Sequence, residues 1–200
     1  MKMRKHCARA VWALLFCLIW PSVATTQSTE GYAWNRNIGV PHGPGQFKWP
    51  SDIALGPDSQ VYVVDNCNHR IQVFSADGVP LRQWGSYGTD KGQFNSPSSL
   101  AISPEGYVYV ADTGNCRVQV FDIEGNFLRA WGKYGTQDGQ FTSPSALAIG
   151  PDRQVYVADR NNNRIQVFDT QGSFVTGWGS EGSVDGEFAS LGDVAVSSDG

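Results

Sequence analysis

Few residues in this 200-residue chain have types that do chemistry, and their positions are uneven. Asp52 and Asp193 are carboxylates in the same place of a recurring pattern, where Ser99 and Ala146 stand in the two intervening copies. Paired hard oxygens begin a Ca²⁺ site, but two acids alone fall short of the roughly six to eight oxygens that ion takes. As plain scaffold, both would start a strand and be solvated. Cys67, His69 and Cys116 are metal ligands by type, yet no zinc spacing joins them. A Cys–His nucleophile would need an orienting acid that the sequence does not assign. The two thiols lie on corresponding loops of adjacent units, offset by two positions, which makes Cys67–Cys116 a candidate disulfide. Asp65 with Arg70, Asp112 with Arg117 and Asp159 with Arg164 recur five residues apart. Such a pair is expected as a structural clamp, contributing about 0 to 1 kcal/mol if exposed.

All of these residues sit inside a 47-residue repeat. Phe47, Phe94, Phe141 and Phe188 are spaced by 47, as are Asp65, Asp112 and Asp159, and Trp84, Trp131 and Trp178. Self-similarity at such a period signals a repeat architecture. Units span 45–91, 92–138 and 139–185, with a partial fourth at 186–200.

Each unit holds four short strand candidates separated by turn residues: IALG, VYVVD and IQVF in the first unit, then a strand ending in QWG. Gly78, Gly125 and Gly172 fall where a tight turn joins the third strand to the fourth. Val61 to Val64 are apolar at consecutive positions, so both faces of that strand must be covered. Small antiparallel sheets buried on both faces and repeated at this period define an all-β fold, a β-propeller of four-stranded blades. The tryptophans are expected between blades, and Asn68, Asn115 and Asn162 at left-handed turn positions.

The run from Asp65 to Ile71, its counterparts Asp112 to Val118 and Asp159 to Ile165, and the GQFxxP opening resemble the NHL repeat over residues 45 to 200. WD40 is a poorer match, because the tryptophans are followed by glycine and the GH signature is missing. The resemblance implies a propeller, commonly of six blades. Six units of 47 residues need 282, and this chain supplies three and a fraction. Either it is a piece of a longer ring, favoured by a stop in mid-blade at Ser197 to Gly200, or two arcs self-associate.

Residues 1–24 read as a secretory signal peptide: Lys2, Arg4, Lys5 and Arg9, the apolar run Ala10 to Trp20, then Pro21 and small residues up to Ala24. Eleven apolar residues are short of the roughly 20 a spanning helix needs, so no stable membrane span is expected after cleavage. Residues 25–44 form an N-terminal segment, a candidate outer strand of a closing blade. A secreted or periplasmic chain is expected. Without the first 24 residues it holds 11 basic against 19 acidic side chains, a net of −8, which opposes nucleic-acid binding.

Positions shared by every copy are most simply scaffold, so a single site on a ring should use positions where the copies differ. That subtraction leaves Asn66, His69, Thr113, Arg160 and Asn161 as candidate rim-loop binding residues. The reading is a non-catalytic scaffold for a protein, peptide or glycan, without a predicted cofactor. The alternative is a metal-dependent lyase or hydrolase with Ca²⁺ in the channel. It is implied only by resemblance to propellers that act on peptidyl hydroxyglycine or on lactones.

Overall fold

The computed structural model describes residues 45–197. The expected signal peptide and the 25–44 segment lie outside them. Three four-stranded antiparallel sheets follow the three repeats, each running from inner to outer strand in chain order. The first holds β1 (Pro50–Leu55), β2 (Val61–Asp65), β3 (Arg70–Phe74) and β4 (Pro80–Trp84). The second holds β5 (Ser99–Ile102), β6 (Val108–Asp112), β7 (Arg117–Phe121) and β8 (Phe127–Trp131). The third holds β9 (Pro144–Ile149), β10 (Val155–Asp159), β11 (Arg164–Phe168) and β12 (Phe174–Trp178). All five residues of β2 and of β6 are buried, as a strand covered on both faces requires.

The core lies between blades. Tyr62, Val64, Ile71 and Val73 of blade one pack with Phe94, Leu100, Val108, Val110 and Phe121 from the second repeat. Tyr109, Ala111, Val118 and Val120 repeat the arrangement against Phe141, Leu147, Val155, Val157 and Phe168. Trp84 sits 5.8 Å from Phe121, and Trp131 sits 5.8 Å from Phe168, so the tryptophans join neighbouring blades. Each ring lies on the next blade's turn glycine. A Cβ on Gly125 would come within 2.7 Å of Trp84. Gly125 also has φ +88°, so glycine is required there for both space and backbone.

One expectation is corrected. The left-handed residues of the rim loops are His69, Cys116 and Asn163 (φ 53°, 53° and 50°), one position beyond the asparagines. Asn68, Asn115 and Asn162 instead end single 3₁₀ turns and turn their amides onto the blade's aspartate. Among the described residues, those from 186 onward form no strand. Phe188, Leu191 and Val194 nevertheless pack against Ala146, Ala158 and Ile165 of blade three.

Candidate functional site

Antiparallel topology sorts the connections onto two rims. The β2–β3, β6–β7 and β10–β11 loops share one rim with the linkers that carry the chain from an outer strand to the next inner strand. The tight turns occupy the opposite rim. On the linker rim each repeat is organised around one aspartate. Asp65 is fully buried, and its Oδ2 accepts from Asn68 Nδ2 (2.8 Å), Arg70 Nε (2.8 Å) and Gln72 Nε2 (3.0 Å). Its Oδ1 accepts the Lys48 N–H at 2.7 Å. Asp112 is bonded in the same way by Asn115, Arg117, Gln119 and the Asn95 N–H. In the third repeat Asp159 accepts from Asn162, from Arg164 at 3.3 Å and from the Thr142 and Ser143 amides.

The clamps are therefore buried hubs and not exposed pairs, because the linker folds over them. Their donors also grip that linker. Arg117 bonds the carbonyls of Thr89, Asp90 and Gln93, and Asn115 bonds that of Gly88. Arg164 bonds the carbonyls of Gln137 and Gln140, and Asn162 that of Gly135. Gln72, Gln119 and Gln166 complete the device: each is buried in the third strand and accepts the N–H of the glycine that opens the GQF run, Gly45, Gly92 or Gly139. Sequence reasoning missed these glutamines, although they recur at intervals of 47 inside otherwise apolar strands.

The residues that differ between copies have separate fates. Asn66 donates to the Pro97 carbonyl (2.7 Å), and Thr113 donates to the Pro144 carbonyl (2.7 Å) while its hydroxyl oxygen also lies at hydrogen-bonding distance from Ser98 Oγ. Both were expected as binding residues, and both join one blade to the next because their side chains reach the following linker. Arg160 and Asn161 occupy the matching loop of blade three and are exposed. Cys67 and Cys116 are free thiols, correcting the expected disulfide. Cys116 Sγ donates to the Thr142 carbonyl at 3.4 Å, while Cys67 Sγ faces Asn66 Oδ1 at 3.6 Å. Burial pushes the Cys116 thiol above its ordinary range.

Asp52 is a junction on the innermost strand. Its Oδ2 accepts from Ser99 Oγ (2.7 Å) and the Leu100 N–H (2.9 Å), and its Oδ1 from the Ile53 N–H (2.8 Å). Burial raises its pKa above 3.8, and the charge of Asp193 acts in the same direction. Asp193 itself is exposed and bonds only the Val194 N–H at 2.8 Å. Both Asp52 oxygens are thus already engaged by protein donors, and the expected cation pair becomes one connector and one open carboxylate. Among the described residues, His, Cys, Asp and Glu side chains gather in no group of three suited to a metal.

His69 and the linker tyrosines remain. His69 Nδ1 accepts the Ser96 N–H at 3.0 Å, and its ring lies 5.0 Å from that of Tyr87. Tyr87 and Tyr134 occupy the same position of successive linkers and are 68% and 74% exposed. Their backbones are pinned by bridges to the buried Phe94 and Phe141.

Three linker-to-linker blades with an Asp–Asn–Arg–Gln hub define a class of repeat propeller. Residues 47–74, 94–121 and 141–168 match the NHL repeat, so the chain carries three NHL repeats. No curated protein matches it in sequence. Among solved structures it is similar to Kuenenia stuttgartiensis hydrazine synthase, at 21% identity and a TM-score of 0.54 over 72% of this chain and 40% of that one. It is also similar to virginiamycin B lyase from Staphylococcus aureus, at 16% identity and a TM-score of 0.51 over 67% of this chain and 42% of that one. The RRP9 WD40 repeats align at 16% identity and a TM-score of 0.53 over 64% of this chain and 38% of that one. At these identities the likeness is one of fold, and the chain spans about 40% of the length of those structures.

Proposed function

We propose that this chain is a non-catalytic recognition scaffold, exported to the periplasm or cell exterior, whose linker rim holds a protein, peptide or glycan. One observation carries the reading. Tyr87 and Tyr134 are exposed on backbones fixed by buried hubs, so their rings are displayed by the fold and are not consumed by it. Rigid aromatic side chains offer large contact area at little cost in conformational entropy.

The alternative, a lyase or hydrolase acting in the propeller channel, draws on the fold likeness to virginiamycin B lyase. Asp52 would have to contribute to it, and its carboxylate is occupied by Ser99 and Leu100. Binding of the full chain to combined peptide and glycan arrays separates the rims. Tyr87→Ala with Asp90→Ala should abolish capture, whereas Asp77→Ala with Gln171→Ala on the turn rim should leave it intact. Capture lost only in the turn-rim variant, or no capture by the unsubstituted chain, would overturn the reading.

A further inference from the structure

The linker rim carries a corner built from two rings. Because His69 Nδ1 accepts the Ser96 N–H, the imidazole's own proton lies on Nε2. An N–H donor therefore stands beside the exposed ring of Tyr87. His69 holds φ 53°, a conformation few non-glycine residues adopt, and the Ser96 hydrogen bond holds its ring in place. One blade further on, Tyr134 repeats the display without the histidine, since Cys116 takes that place. Each tyrosine is followed by a glycine and then by exposed hydroxyl and amide or carboxylate side chains: Thr89 and Asp90 after the first, Thr136, Gln137 and Asp138 after the second.

We infer that Tyr87 with His69, together with Tyr134, forms a stacking track for a neutral polysaccharide. This deepens the recognition reading and rests on it. The apolar face of a pyranose ring suits an exposed tyrosine, and its equatorial hydroxyls suit the His69 Nε2–H and the neighbouring hydroxyl, amide and carboxylate groups. Two exposed tyrosines at the same place of successive linkers fit a ligand that itself repeats. The surroundings argue against the competing occupants. Along its linker Tyr87 is flanked by exposed Ser86, Thr89 and Asp90, and Tyr134 by exposed Lys133, Thr136 and Gln137, and not by the further apolar side chains of a protein interface. A single-stranded nucleic acid would pair its stacked bases with a basic groove, whereas Asp90 and Asp138 lie on the same linkers as Lys91 and Lys133, and the next linker adds Glu181 and Asp185.

The test is calorimetric titration of the full chain with cellohexaose, chitohexaose and mannohexaose, with matching trisaccharides. At least one hexasaccharide is expected to bind, and more tightly than its trisaccharide. Tyr87→Ala and Tyr134→Ala should each weaken it about tenfold, and Tyr87→Phe should stay within about twofold. Loss of affinity in Tyr87→Ala with unchanged thermal unfolding assigns the effect to stacking. Equal binding by the alanine variants, or no binding of any hexasaccharide at millimolar concentration, overturns the track. If the sugars fail but peptides on an array bind in a Tyr87-dependent way, the glycan assignment falls and the recognition rim stands. If neither binds, both fall.

Discussion

The carboxylate of Asp52 accepts the hydroxyl of Ser99 at 2.7 Å, and these two residues hold the same position in successive repeats. Ser99 Oγ in turn accepts the Leu147 N–H at 3.1 Å, just as Asp52 accepts that of Leu100. One frame of the repeat thus stitches each innermost strand to the next through whichever acceptor it carries. Ala146 breaks the series by having none. Asp193 repeats the local cap of Asp52, accepting the N–H of the residue after it.

This stitch makes stability depend on pH. Burial raises the Asp52 pKa above its unfolded value of 3.8, so between those two values the folded state holds the extra proton. Stability therefore falls as pH rises through that window, and the cost is fully present above it. Urea unfolding at a series of pH values should show this slope, and Asp52→Asn should flatten it. An unaltered slope would assign it to another group.

The aspartate hubs should behave as buried pairs. Asp112→Ala strands the donors of Arg117, Asn115 and Gln119 and should cost about 3 to 5 kcal/mol. It should also free the Asn95 amide to exchange with solvent. A loss below about 1 kcal/mol is what a solvent-screened pair would give, and chemical denaturation distinguishes the two.

Blade stacking predicts an asymmetry between two glycines of positive φ. A Cβ at Gly92 (φ +77°) meets nothing within 4 Å, whereas one at Gly125 (φ +88°) meets the Trp84 ring at 2.7 Å. Gly125→Ala should cost about 1 to 3 kcal/mol more than Gly92→Ala. In a Trp84→Ala background that excess should vanish, which a double-mutant cycle measures.

Both loop cysteines should be present as free thiols in the folded protein. Mass spectrometry without reduction should find no Cys67–Cys116 crosslink, since Cys116 is turned to the Thr142 carbonyl. Its alkylation rate should climb steeply with alkaline pH, because burial holds the thiol protonated. A crosslinked species would contradict the loop geometry.

The strands and blades were legible because hydrophobic pattern, turn glycines and a fixed period all demand the same sheet. Val61 to Val64 announced two covered faces, and the buried strand has them. The rim was only half legible. Subtracting shared residues set aside Asp65 and Arg70, which sit in the hub, and it selected Asn66 and Thr113, which differ between copies and hydrogen-bond to the next blade. Several side chains can satisfy one inter-blade carbonyl, so variation does not mark a site. Tyr87 and Tyr134 went unread, although their frame changes to Glu181 in the next linker, and exposure sets them apart from the buried Phe94 and Phe141 of the same linkers. Exposure follows from how the linker leaves the blade edge, and no local spacing encodes it.

Amide exchange of the full chain, alone and with its tightest array ligand, tests the recognition rim most directly. Protection confined to residues 86–93 and 133–140 is the predicted result. Protection at 56–60, 75–79, 122–126 and 169–173 instead would place recognition on the turn rim and contradict the account.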